Sequence, residues 1–124
     1  MSNEVENFIK KAEDKLISSK VLYDAEQYAT SVSASYYCMF ITAKALLIKK
    51  GCNVGKTHAG LIKQFSLKYV KEDSFDYDVY KFLAETQSLR EEADYNDVDD
   101  ITSSIAFNKI NQAELFMDEA KKFL

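Results

Sequence analysis

The chain has 124 residues, of which 47% are hydrophobic and 29% are charged, and its net charge is −4. This length is typical of one domain, and the apolar content excludes a disordered chain, so we expect a single helical domain over residues 1–124. There is no proline and all three glycines lie within residues 51–60, which favours long, uninterrupted helices.

The first two helices are predicted from apolar residues that recur every three or four positions. The first spans residues 4–25. The second spans residues 28–50 and is apolar on nearly every side between Tyr36 and Ile48, which is typical of a central core helix. Phe40, in the middle of this segment, is therefore expected to be deeply buried. Gly51 suits the position just after the helix end.

Three further helices complete the prediction. A short helix over residues 58–69 follows a Thr57 cap, a fourth spans residues 75–94, and a fifth spans residues 103–123 after a Thr102 cap. No segment alternates as a strand does. The sequence therefore predicts an all-α fold, namely an antiparallel, up-and-down four-helix bundle with one short additional helix.

Cellular location is indicated by the cysteines and by the first residues. Cys38 and Cys52 lie in different contexts and are read as free thiols in a reducing cytosol. The first residues contain no basic start and no apolar signal core. The apolar stretch of residues 32–48 includes Ser33, Ser35 and Lys44, which fits a core helix better than a membrane span. We expect a cytoplasmic protein without a membrane partner.

Charge is distributed unevenly along the chain. Residues 27–71 contain seven lysines and no acid, whereas residues 72–100 contain eleven acids. One interpretation is a basic surface for RNA or phosphate. The favoured alternative is that the two blocks neutralise each other within the fold or across a dimer, because charge runs are usually solvated faces and lysines alone make non-specific contacts.

Two segments resemble known ligand loops only superficially. Residues 51–57 have three residues between their glycines, where a phosphate-binding P-loop needs four, and they follow a helix rather than a strand. Residues 94–100 resemble a calcium loop, but Asp99 stands where the sharp turn needs glycine. We therefore expect neither nucleotide hydrolysis nor a metal site, and no cofactor.

His58 and Arg90 are the only histidine and the only arginine in the chain. At the predicted start of the third helix, Lys56, Thr57 and His58 could hold a phosphate, or Thr57 and His58 could simply cap the helix, which we favour. Asp94 lies one helical turn after Arg90 and could aim it at a phosphate or a partner. The alternative is a surface ion pair worth about 0.5 kcal/mol.

Three segments together resemble prokaryotic proteins of the HEPN family, in the expected order and over almost the whole chain. They are residues 35–47 with Tyr-Tyr, Met-Phe and Ala-Leu-Leu, residues 57–60 with Thr-His-x-Gly, and residues 90–95 with Arg-x-x-Ala-Asp-Tyr. The resemblance implies a helical bundle that pairs as a homodimer. Many such proteins are toxins whose antitoxin partner is a minimal nucleotidyltransferase, and the active toxins resemble metal-independent endoribonucleases.

Active relatives carry a histidine four to six residues after the motif arginine, and this chain does not. After four intervening residues, the position that follows Arg90 is Tyr95, a poor general base at neutral pH. The leading hypothesis is thus a module of a toxin–antitoxin or defence pair that binds nucleotide or RNA, but not DNA. The alternatives are an endoribonuclease using Arg90 with Tyr95 or His58, and a non-catalytic dimeric adaptor. Tyr95 is otherwise a hydrogen-bonding residue or a site that the partner modifies.

Overall fold

A computed structural model describes residues 3–96 and 100–124 of the chain. Within these ranges the structure is helical, and no strand is found. The elements in chain order are α1 (Asn3–Asp24), α2 (Tyr28–Lys49), α3 (His58–Phe65), a π-helical segment (Ser66–Lys71), α4 (Tyr77–Tyr95) and α5 (Ser103–Lys121). The all-α fold class is confirmed.

The four long helices run alternately up and down. The end of α1 lies beside the start of α2, where the buried Ser31 hydroxyl donates to the Ser19 carbonyl at 2.7 Å. The start of α4 is tied to the end of α5, because Glu119 accepts a hydrogen bond from the Asp76 backbone N–H at 2.9 Å. α2 packs against α1, α3, α4 and α5 and is the central helix.

The core forms around α2 and the aromatic residues that pack on it. Phe65 stacks on Tyr69 and lies edge-on to Phe75, which also contacts Phe116. The largest fully buried side chains are Tyr36, Tyr69, Phe65, Phe75, Phe116, Met39, Leu46, Leu47, Leu61, Leu83, Val5 and Val32. The helix α2 is long and apolar enough to cross a membrane, but 67% of its apolar window is buried within the bundle, as in a core helix.

Local capping chemistry appears where the sequence predicts it. The Thr57 and Thr102 side chains each accept a backbone N–H from three residues on and begin α3 and α5. Gly51 has φ +75° directly after the C-cap of α2, a conformation that costs glycine nothing. Residues 51–57 therefore form the end of one helix and the cap of the next, and not a phosphate-binding loop. Residues 97–99 of the acidic stretch lie outside the described residues.

Three details of the sequence prediction were wrong. The third helix stays α-helical only to Phe65 and continues as the π-helical segment. The fourth helix begins at Tyr77, because Asp76 is its cap and Phe75 is a buried anchor before it. Phe40 is not deeply buried but lies at the edge of the core, where it stacks on His58 with ring centroids 4.2 Å apart.

Candidate functional site

Arg90 lies on two tyrosine rings of the central helix. α4 crosses the first half of α2 so that the Arg90 guanidinium carbon is 5.1 Å from the ring centroid of Tyr36 and 5.4 Å from that of Tyr37. The Arg90 side chain is only 18% exposed. Such contacts are worth about 0.5–2 kcal/mol, the larger values applying to desolvated cations. The two rings therefore hold the guanidinium close to α2.

The charge of Arg90 is only partly compensated. Its terminal nitrogens donate long hydrogen bonds, at 3.3 Å to Asp94 and 3.4 Å to the Gln87 amide oxygen. Its buried Nε has no hydrogen-bond partner in the part of the chain that the structure describes. Asp94 itself is 60% exposed, so water screens this ion pair. A guanidinium held in this way favours a further anionic partner.

His58 lies on the same aromatic cluster, although it comes from a different helix. Its Nδ1 is 2.7 Å from the Tyr36 hydroxyl, and its ring lies edge-on to Tyr37 at 5.8 Å. Burial raises the pKa of Tyr36, so the phenol keeps its proton. Since Tyr36 has no other acceptor in the described structure, we assign its hydroxyl as the donor to Nδ1, which places the proton of the neutral imidazole on Nε2.

The protonation state of His58 follows from its surroundings. Burial lowers the pKa of His58, and the nearby Arg90 cation lowers it further, while Glu91 offsets part of the effect. His58 is therefore neutral at pH 7. With Tyr36 bonded to Nδ1, the remaining ring nitrogen is a hydrogen-bond donor. Arg90 and His58 thus both present donors, which is the arrangement expected of an anion site.

The Thr-His-x-Gly segment positions His58. Thr57 begins α3 by accepting the Gly60 backbone N–H at 3.0 Å, which makes His58 the first helical residue. A Cβ at Gly60 would lie 2.7 Å from the Thr57 hydroxyl oxygen, so a larger residue would displace this cap. Phe40 and Tyr36 then stack against the imidazole on the side of α2. This local structure holds the ring in one orientation.

Other residues singled out in the sequence lie apart from this cluster. Tyr95 is the last residue of α4 and is 89% exposed. Lys56 is exposed in the loop before α3. The Thr57 hydroxyl is already occupied by its cap bond. The structure thus brings Arg90, Asp94 and His58 to one region. The functional roles of Tyr95, Lys56 and Thr57 stay predictions, as do those of Arg90, Asp94 and His58.

Two grooves lie near Arg90, and of the two the arginine itself lines the smaller. One, with a volume of about 200 Å³, lies between α2 and α4 and is lined by Thr30, Ser33, Arg90 and Asp94 among others. It has room for a phosphate group and offers two hydroxyls beside the guanidinium. A larger groove of about 480 Å³ lies between α3, the π-helical segment and α4. No cluster of three or more metal-ligating side chains exists among residues 3–96 and 100–124.

Sequence reasoning identified Arg90 and His58 but missed the residues that hold them. Tyr36, Tyr37 and Phe40 appeared only as core residues of α2, because helical spacing cannot tell which aromatic rings face a neighbouring helix. Gln87, which bonds both Arg90 and Glu91, gave no sequence signal beyond its position one turn before Arg90. The available clues in the sequence were the single arginine and, far from it in the chain, the Tyr36-Tyr37 pair.

Arg90 on α4 and His58 on α3 both lie against tyrosines of the central helix α2, so the structure defines an all-α bundle with two hydrogen-bond-donating side chains on one aromatic cluster. A model of the HEPN domain matches residues 5–123, and the chain therefore belongs to the HEPN family. The chain is similar to "Putative toxin MJ0142" of Methanocaldococcus jannaschii, with 35% identity over 98% of this chain and 82% of that protein. It is 37% identical to "Putative toxin MJ0605" of the same organism, over 98% of this chain and 89% of that protein. A UPF0332 protein of Archaeoglobus fulgidus is 32% identical, over 96% and 94% of the two chains.

Proposed function

We propose that this chain is a cytoplasmic, single-domain HEPN module of a toxin–antitoxin or defence pair that binds the phosphate of an RNA or nucleotide at Arg90 and His58. The similarity to two archaeal proteins named putative toxins supports the biological role. The binding role is carried by one observation: Arg90 is 18% exposed, stacked on two tyrosines and only partly compensated in charge. The resemblance to family toxins adds two partners, a second copy of the chain and a minimal nucleotidyltransferase.

The binding test compares Arg90→Ala with Lys81→Ala. Lys81 is a matched control because it is on the same helix and its ammonium also lies near a tyrosine ring, 5.6 Å from the Tyr77 centroid. Losing a charge-assisted contact costs about 1.5–3 kcal/mol, so Arg90→Ala should weaken binding of a single-stranded RNA or of adenosine monophosphate by about tenfold or more. Lys81→Ala should bind within about twofold of wild type. Normal binding by folded Arg90→Ala would overturn the site.

The biological role has its own test. Expression of the chain in a bacterial host should slow growth, and Arg90→Ala should relieve this effect while Lys81→Ala should not. A minimal nucleotidyltransferase encoded beside the gene should restore growth and should co-purify with the chain. A harmless wild-type protein, with no such neighbouring reading frame, would contradict the toxin–antitoxin role. Sedimentation at micromolar concentration tests the homodimer, and a monomer only would contradict it.

A second candidate is a metal-independent endoribonuclease, and one observation favours a specific version of it. His58 contacts the same two tyrosine rings as Arg90, whereas Tyr95 is 89% exposed. If the protein cleaves RNA in the presence of a metal chelator, His58→Ala should abolish cleavage and Tyr95→Phe should not. The opposite result would assign the role to Tyr95. Because Nδ1 is bonded and Nε2 carries the proton, we favour binding over acid–base chemistry.

A further inference from the structure

A row of cations and aromatic rings continues from Arg90 across the face shared by α1 and α2. Tyr37, which lies against Arg90, also has the Lys15 ammonium 6.0 Å from its ring centroid. Further along, the Phe8 ring centroid is 4.8 Å from the Lys44 ammonium and 5.7 Å from that of Lys11. We call this surface the basic track, and it consists of Phe8, Lys11, Lys15, Tyr37 and Lys44.

Helical spacing explains why these residues share a face. Phe8, Lys11 and Lys15 follow one another at three and four positions on α1, which places them on one side of that helix. Tyr37 and Lys44 are seven residues apart, two turns along α2. Because the helices run antiparallel, Lys15 meets Tyr37 at one end and Phe8 meets Lys44 at the other. Seven residues of helix span about 10 Å.

The lysines of the basic track lack carboxylate partners. Lys20, Lys50, Lys68 and Lys122 each form an ion pair in the described structure. Within residues 3–96 and 100–124, Lys11, Lys15 and Lys44 have no carboxylate oxygen within the 4.0 Å that defines such a pair.

The acids near the basic track lie beside it or at its end. On α1, Glu13 lies on the opposite side, in a groove shared with Glu114 and Asp118 of α5. Glu4 lies beside Phe8 and Lys11, at the end farthest from Arg90. The basic track therefore continues from Arg90 by way of Tyr37, and Glu4 lies at its far end.

The groove between α3 and α4 is the rival path from Arg90. It also contains two lysines, Lys63 and Lys71. However, Glu91 lines it as well, and its carboxylate accepts a 2.7 Å hydrogen bond from Gln87, the residue that bonds Arg90. A phosphate chain leaving Arg90 in this direction would pass a carboxylate, which repels it. On the basic track, by contrast, Lys15 forms no ion pair with a carboxylate in the described structure.

We propose that the basic track binds the phosphodiester backbone of a single-stranded RNA that leaves the Arg90 site over Tyr37. The proposal rests on the proposed function and deepens it, because it makes an oligonucleotide rather than a mononucleotide the ligand. Lysines on flexible stems contact phosphates without reading bases, so binding is independent of sequence and sensitive to salt. Phe8 and Tyr37 provide rings on which bases can stack.

The experiment compares three double variants that each remove two positive charges. Lys11→Gln/Lys15→Gln tests the basic track, Lys63→Gln/Lys71→Gln tests the rival groove, and Lys10→Gln/Lys121→Gln is a control at exposed positions away from both. Fluorescence anisotropy measures the dissociation constant of a ten-nucleotide single-stranded RNA at several salt concentrations. A competition assay measures that of adenosine monophosphate. Circular dichroism melting confirms that every variant is folded.

The basic-track variant should bind the ten-nucleotide RNA about tenfold more weakly than the control, because it lacks two lysine contacts with phosphate. Its slope of log affinity against log salt should be smaller by about 1.4, for two lost phosphate contacts. Its affinity for adenosine monophosphate should stay within about twofold of wild type, because Arg90 and His58 are intact.

Several outcomes would overturn the basic track. The first is that Lys11→Gln/Lys15→Gln binds RNA as tightly as the control, and the second is that Lys63→Gln/Lys71→Gln loses RNA affinity instead. The third is that Lys11→Gln/Lys15→Gln loses affinity for RNA and for adenosine monophosphate equally. Arg90→Ala separates this failure from failure of the proposed function. If Arg90→Ala loses both ligands while the track variant equals the control, only the basic track is wrong. If Arg90→Ala binds like wild type, the Arg90 site is wrong, and a wild type that binds no RNA refutes both.

Discussion

Replacing Tyr36 with phenylalanine removes one buried hydroxyl and leaves the aromatic ring in place. Tyr36 is fully buried, and its hydroxyl donates to His58 Nδ1 at 2.7 Å. The ring contacts with Arg90 and Phe40 are retained. A net hydrogen bond contributes about 1 kcal/mol, and His58 is partly exposed, so water can replace part of the loss. We expect a loss of about 1 kcal/mol, or roughly 4 °C in melting temperature for a chain of this length.

The matched control for Tyr36→Phe is Tyr69→Phe. Tyr69 is also buried, and its hydroxyl donates to the Leu46 carbonyl, far from Arg90 in the fold. Thermal and urea unfolding should show a comparable loss for both variants, whereas only Tyr36→Phe should weaken binding of a single-stranded RNA. An unchanged melting temperature for Tyr36→Phe would refute the hydrogen bond. Equal losses of RNA affinity in both variants would mean that binding follows stability and not the orientation of His58.

Three further outcomes are expected. Phe116→Ala should lower the free energy of unfolding in urea by about 3–5 kcal/mol, because this ring is fully buried, and Phe40→Ala should cost clearly less; the reverse order would contradict the core described above. Gly60→Ala should cost about 1 kcal/mol by displacing the Thr57 cap, and an unchanged melting curve would show that the cap does not matter. The pKa of His58, followed by its single imidazole resonance, should lie below 6.5 and should rise in Arg90→Ala. Because the folded state favours the neutral imidazole, the free energy of unfolding should fall as the pH drops below 6.5, and this fall should be less steep in Arg90→Ala. A pKa above 6.5 would contradict the site.

Local sequence chemistry predicted most of the helix boundaries. Thr57, Thr102 and Gly51 act within one helical turn of their own positions, so their roles can be read without knowing the fold. The start of α4 was missed although Asp76 is a local cap that accepts the Val79 backbone N–H. The hydrogen bond from the Asp76 backbone to Glu119, 43 residues away in the sequence, has no local signal. The π-helical continuation of α3 likewise has no local signal in the residue pattern.

The candidate site was predictable only in part, for the same reason. Composition drew attention to Arg90 and His58, since each is the only residue of its type. Their surroundings arise from helix packing across long separations, such as the 22 residues between Tyr36 and His58. The interpretation of Phe40 failed because an apolar position in the middle of a core helix does not reveal which neighbour covers it. Here the neighbour is the imidazole of His58.

The helix from which the histidine comes decides what chemistry this site favours. In the pattern of active relatives the histidine follows the arginine on the same segment, but here that position is Tyr95, which is 89% exposed. His58 instead reaches the Arg90 cluster from α3, with Nδ1 bonded to Tyr36. A general base needs a free nitrogen lone pair, and in this arrangement the remaining nitrogen carries the proton. Accepting a proton would require Tyr36 to reverse its hydrogen bond within a buried cluster where its hydroxyl has no second acceptor in the described structure. In this ground state His58 is therefore suited to donating a hydrogen bond rather than to removing a proton from the ribose.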